Sequence, residues 1–177
     1  MRVSLFTVSL TAAAAASILG GIAYSAQNRA ALQVPGGLSF SEFKGYEDWA
    51  VVAPSQVPGS IKTIAANEVM MRAYRSGLPA KGKTFPEGSK VVKIEWAEKP
   101  NPVSPYPVTI PGALKSIAFI EKDSKRFPKS HGWAYAQFMY DPASHTLKPN
   151  GTGSQCGYAC HTAVAPQDYI FTAYPER

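Results

Sequence analysis

Alternation of apolar and polar side chains marks the middle of the chain. In Lys90–Trp96, Val92, Ile94 and Trp96 fall on one face of an extended segment and Val91, Lys93 and Glu95 on the other, which predicts a strand within residues 88–98. Residues 113–121 repeat the pattern, with Leu114, Ala118 and Ile120 on one side and Ile117 and Phe119 on the other. Trp133–Tyr140 is aromatic and apolar and free of Gly and Pro, the clearest strand signal in the chain. Shorter apolar runs predict strands at 49–53, 61–66 and 168–174.

Helical signals are few. Asn67 is placed as an N-cap, Glu68 follows in the first turn, and Val69, Met70, Ala73 and Tyr74 recur at helical spacing up to Gly77. The pattern predicts an amphipathic helix of about three turns. A short helix is also predicted over 39–49, where Ser41 precedes Glu42 among Phe40, Phe43 and Trp49.

The rest reads as connection. Residues 27–38 carry Pro35-Gly36-Gly37 and predict a surface arm, and Pro54 and Pro58-Gly59 are read as chain breaks. Residues 78–86 are rich in Gly, Pro and Lys, and 99–111 hold five prolines. A polar connector at 123–129, a turn at Asp141-Pro142 and a loop over 146–155 complete the picture. Loops this short exclude crossover helices, so the strands must pair antiparallel. The expected fold is α+β, mainly β: an antiparallel sheet of four to six strands with one or two short helices and a chemical motif near the C-terminus. A four-helix bundle is excluded.

At the N-terminus, residues 3–26 are apolar or small and Arg2 is the only charge before them. This reads as a secretory signal over residues 1–25, with Ala23 and Ser25 spaced for cleavage before Ala26. The long apolar run leaves an uncleaved membrane anchor as the alternative. Residues 26–177 are then one exported domain, large enough for a core of its own. The formal charge of +6 is spread out with no run of like sign, which gives no nucleic-acid signal. A solvated basic surface accounts for it, with a docking face for an acidic redox partner as the second reading.

Cys156-Gly157-Tyr158-Ala159-Cys160-His161 carries the chemistry. C-x-x-C-H is the attachment signature of haem c: the two thiols form thioethers with the porphyrin and the adjacent histidine ligates the iron. A zinc site requires further Cys or His ligands at suitable spacing, and none is present. A redox dithiol belongs in a βαβ context, which this stretch lacks. These are the only two cysteines, so one covalent haem c is the expected cofactor, with Cys156, Cys160 and His161 as its ligands. Export fits this reading, since haem c is attached outside the bacterial inner membrane, which places the domain in the periplasm.

Neither Met nor His occurs among the 16 residues after His161. Met70, Met71, Met139, His131 and His145 lie upstream, and none has a spacing that demands a role as sixth ligand. An open sixth position follows, and with it the binding or conversion of a small molecule rather than electron transfer alone.

Several ordered segments then resemble the cytochrome P-460 family. They are Gly45-Tyr46-Glu47-Asp48-Trp49, Phe85-Pro86-Glu87-Gly88-Ser89-Lys90-Val91-Val92-Lys93, Lys122-Asp123-Ser124-Lys125-Arg126-Phe127 before Gly132-Trp133, and the closing Asp168-Tyr169-Ile170-Phe171-Thr172-Ala173-Tyr174-Pro175. The resemblance covers the chain from about Ser39 onward. It implies a β-rich periplasmic haem domain, a homodimer, and oxidation of hydroxylamine with electrons passed to a periplasmic acceptor. It also implies a lysine bonded to the porphyrin rim, and alignment on Phe85 and Gly88 places that lysine at Lys93. Read from the residues alone, Lys93 is a solvated strand lysine like Lys90.

The related cytochromes c-prime-beta lack the link and bind nitric oxide or carbon monoxide under a hydrophobic cap. Phe85, Phe119, Phe127 and Phe138 are the candidates for such a cap, with ordinary core as the competing reading. Two departures bear on activity. The distal glutamate of the hydroxylamine-oxidising members falls on Ala118, and a distal arginine falls on Lys62. Glu121 is close in sequence, but alternation turns it to the opposite face.

Overall fold

In the computed structural model the described residues are 27–151 and 155–177, with side chains of the second stretch described from residue 157 onward. The segment read as a signal, residues 1–25, lies outside them.

Six strands form one antiparallel meander in chain order: β1 Ala50–Val57, β2 Ser60–Ala66, β3 Lys90–Pro100, β4 Thr109–Lys122, β5 Trp133–Asp141 and β6 Thr146–Asn150. Two short α-helices join them, α1 Glu68–Arg75 after β2 and α2 Gln155–His161 after β6. The mainly β, antiparallel fold expected from the sequence is therefore the fold found. Among the described residues, no helix is long and apolar enough to cross a membrane.

Alternation gives the sheet two working faces. One carries Ala65, Val92, Ile117, Phe119, Phe138 and Leu147, and the segment before β1 covers it with Val34, Leu38, Phe40, Phe43 and Tyr46. Phe43 stacks on Phe119 at 4.2 Å between ring centroids, and Phe40 meets Phe119 and Phe138 edge-on. Each of these buried rings contributes about 1.5–3 kcal/mol by leaving water. The other face carries Ile64, Ala66, Val91, Trp133 and Tyr135, covered by Met70, Met71 and Tyr74 of α1, by Phe85, and by Tyr169 and Ile170 of the closing segment.

Asn67 caps α1 as its composition demands. Its side chain accepts from the Met70 N–H at 3.1 Å and from the Lys90 N–H at 3.1 Å, which ties the helix start to β3. The helix has 8 residues, nearer two turns than three, because Ser76 and a left-handed Gly77 (φ 95°) end it.

The structure corrects the sequence reading in several places. Residues 27–38 are not a surface arm, since Val34 and Leu38 are fully buried and a Gln33–Ser39 bridge closes their turn. Residues 39–49 form two 3-10 turns, Phe40–Phe43 and Tyr46–Asp48, rather than one helix, and Ser39 rather than Ser41 makes the capping box with Glu42. β1 runs through Pro54, which an edge strand tolerates because one side of it carries no partner.

Residues 146–150 are a strand rather than a loop. The closing segment 168–174, read as a strand, is irregular, because Asp168 (φ 51°) and Tyr169 (φ 63°) take left-handed backbone that a strand cannot contain. A smaller correction concerns Leu114. Glu95 pairs with Ser116 but Trp96 pairs with Leu114, so Lys115 is an extra residue, and the bulge turns Leu114 to the Ile117 side.

Candidate functional site

The second face of the sheet is only partly covered. Where α1 and Trp133 stop, a straight cross-strand row begins: Ile64 on β2, Lys93 on β3, Ala118 on β4, Gln137 on β5 and Asn150 on β6 are successive register partners. All of them line one cavity of about 430 Å³. The opposite wall is α2 and the closing segment, through Cys160, His161, Ile170, Phe171 and Thr172.

α2 reaches this place because Gly157 has no side chain. A Cβ there would stand 2.5 Å from Cβ and Cγ of Tyr135, so only glycine lets the helix lie on β5. The motif's second cysteine, Cys160, lies at the cavity with its side chain exposed. The side chain of Cys156, the other predicted thiol, lies outside the described residues.

His161 is held from behind. Its Nδ1–H donates to the Tyr169 carbonyl at 2.6 Å. A carbonyl only accepts, so the proton sits on Nδ1, and Nε2 keeps its lone pair as a metal ligand requires. Burial lowers the imidazole's pKa, and the Lys93 charge lowers it further against the opposing carbonyl bond. The neutral, ligating form is thereby favoured. The ring lies 4.7 Å from that of Tyr135, and Phe171 meets it edge-on at 4.9 Å.

Lys93 is half-buried in the sheet wall, not solvated like a free strand lysine. Burial pulls its pKa below the ordinary 10.5, the neighbouring Lys62 pushes in the same direction, and Glu95 and Cys160 oppose. A more readily neutral amine is what nucleophilic lysine chemistry needs. The Lys93–Ala118 pairing puts the methyl of Ala118 directly beside it. Among the described residues, no carboxylate lines the cavity. Glu121 lies on the other face, as expected, paired with Lys90 at 3.2 Å.

The walls fit a tetrapyrrole. The volume lies within the roughly 300–1,000 Å³ of cofactor pockets. Tyr74 and Tyr135 both border the cavity, and their buried hydroxyls have no hydrogen-bond partner. Buried orphans of this kind call for a group that completes the site, and carboxylate-bearing haem supplies acceptors.

The other sequence candidates fall elsewhere. Met70 and Met71 are core under α1, Met139 is exposed on β5, His131 stacks on Tyr169 at 5.1 Å, and His145 bonds the Tyr140 hydroxyl at 3.0 Å. None lines the cavity. Of the phenylalanines read as a cap, Phe85 and Phe138 are core and Phe127 packs under Arg126. Phe119 borders the cavity, but its ring belongs to the Phe43 stack behind the sheet.

Sequence reasoning missed Phe171, Gln137 and Asn150. Gln137 had a signal, as the one amide within the apolar Trp133–Tyr140 run. Its Oε1 accepts from Asn150 at 2.8 Å, which fixes the amide across β5 and β6. Phe171 had none, because the segment holding it is not a strand.

No curated protein matches this chain. The model of the family described as Cytochrome P460 matches residues 43–172, which spans the site and most of the sheet. The chain belongs to the cytochrome P460 family of c-type haem proteins.

Proposed function

We propose that this protein is an exported enzyme that oxidises hydroxylamine or a related small nitrogen compound. The carrying observation is Lys93: half-buried, held toward its neutral form, and set in the same cavity as Cys160 and His161. Cys156 and Cys160 would hold the haem by thioethers, and His161 would ligate its iron through Nε2. The bound haem supplies the redox chemistry. On this reading Lys93 would supply the additional bond to the ring edge that the hydroxylamine-oxidising members carry.

The chain's own residues set the conditions. Apart from His161, no Met or His among the described residues lines the cavity, which supports an open sixth position for a small ligand. Ile64 and Ala118 give the sheet side of the cavity an apolar lining, while Gln137 and Lys62 offer hydrogen-bond donors. On this reading electrons pass to a periplasmic acceptor and the working unit is a homodimer, the dimer and the periplasmic setting being what the family resemblance implies.

A second reading rests on a different observation. With Ala118 at the register position beside Lys93 and, among the described residues, no carboxylate in the wall, no fixed base stands ready to take protons from hydroxylamine. That favours a protein that binds nitric oxide or carbon monoxide without turnover. Absorption spectra of the purified protein, with the mass of its haem peptides, separate the two. A lysine-linked haem, a red-shifted Soret band and reduction by added hydroxylamine support the enzyme. An unlinked five-coordinate haem that binds nitric oxide and ignores hydroxylamine supports the binder. A reduced iron that is six-coordinate without added ligand overturns both.

A further inference from the structure

Behind His161, away from the cavity, lies a buried ion pair that the proposed chemistry does not use. The Lys122 ammonium meets both carboxylate oxygens of Asp168, at 2.8 and 3.1 Å, with side chains 6% and 4% exposed. The same ammonium donates to the His131 carbonyl at 3.1 Å. Asp168 further accepts from the Phe85 N–H at 2.7 Å and from Trp133 Nε1 at 3.2 Å. Every polar group of the pair is engaged, and the carboxylate is gripped by residues from three separate parts of the chain.

The grip holds an unfavourable backbone. Asp168 and Tyr169 are consecutive non-glycine residues with left-handed φ. Such conformations persist only where the surroundings over-determine them. Here they do so at one consequential place, since the carbonyl of Tyr169 accepts the Nδ1–H of His161 at 2.6 Å. A buried ion pair is poor evidence for stability, because apolar residues of like volume serve that end as well. Its persistence is better explained by the geometry it specifies.

We propose that the Lys122–Asp168 pair is a positioning device for the haem ligand: it locks the turn that aims the Tyr169 carbonyl at His161, and so sets ring orientation and ligand basicity. The inference rests on the reading of His161 as the axial ligand. A strong acceptor at Nδ1 puts more electron density on Nε2, strengthens the bond to iron and favours the oxidised metal. Neither residue lines the cavity.

The test uses the haem-loaded protein. Four variants are compared with wild type: Asp168→Asn, Lys122→Arg, the apolar double variant Lys122→Met with Asp168→Leu, and the surface control Asp141→Asn. Resonance Raman of the ferrous form reads the iron–histidine stretch, and potentiometry reads the midpoint potential. We expect Asp168→Asn and the double variant to lower the stretching frequency and raise the potential while haem content stays native. Lys122→Arg should return both values close to wild type, and the control should move neither. A folded double variant with native frequency and potential overturns the inference. So does failure of both Asp168→Asn and the double variant to fold, because the pair would then serve the fold at large. If wild type itself shows no iron–histidine band, the ligand reading fails instead, and the positioning role falls with it.

Discussion

Lys93 on β3 and Ala118 on β4 are direct register partners on the cavity face of the sheet. The pair sets a half-buried amine beside a methyl group, at the place where the family resemblance implies an acid in the hydroxylamine-oxidising members. Changing Ala118→Glu therefore places a carboxylate beside Lys93 without altering the strand. General base catalysis is worth roughly 10²–10⁴-fold. Hydroxylamine-dependent reduction of an added electron acceptor should rise accordingly. An unchanged rate in a folded, haem-loaded variant argues that protons leave by another route.

Lys93→Arg should abolish any link to the haem while leaving the two thioethers, because guanidinium stays protonated. Peptide mass and Soret position report this directly. Lys62 shares the wall and lowers the Lys93 pKa alongside burial. Lys62→Met should therefore move the onset of linkage to higher pH, measured on protein matured across a pH series. Linkage with unaltered pH dependence in this variant removes the assigned role of Lys62.

Gly157→Ala should prevent α2 from seating. The added methyl meets the ring base of Tyr135 at 2.5 Å, where backbone and a packed core ring must both move. Overpacking of this kind costs about 1–3 kcal/mol. A lowered Tm together with lowered haem content is expected, and a variant that matches wild type in both contradicts the packing described.

Glu121 gives a pH signature away from the haem. Burial raises its pKa above 4.5, against the opposing pull of Lys90, with Glu42 adding to the rise and Arg126 opposing it. A carboxyl whose pKa is higher folded than unfolded binds its proton more tightly in the folded state. Its stabilising contribution is complete at low pH and is lost as pH rises above 4.5 through the folded value. Glu121→Gln lacks that loss, so its stability relative to wild type should climb as pH rises above 4.5. Urea midpoints of the haem-loaded proteins measure it, and a difference constant with pH refutes the assignment.

Much of this was legible in local pattern. β3 and β4 announce themselves through apolar alternation, and β5 through an aromatic, apolar run without Gly or Pro that is buried on both faces over Trp133–Ala136. Asn67 marks the start of α1 through an orphan N–H that only a side-chain acceptor satisfies. β6 was illegible for the opposite reason. It is a polar edge strand in which only Leu147 is buried, and Pro149 sits where an edge needs no donor. The segment 27–38 reads as loop because Val34 and Leu38 are buried by a turn, a pairing without periodicity.

The sequence by itself determined the C-x-x-C-H chemistry, the antiparallel β class and the face on which Lys93 stands, since each depends on neighbours within a few residues. Only the tertiary structure decided what meets what. Lys122 finds Asp168 across 46 positions, Gln137 joins the row of Lys93 and Ala118, and Phe171 rather than the strand phenylalanines comes to lie against His161. Register across strands and the path of an irregular C-terminal segment are set by burial of the whole chain, and no local period carries that information.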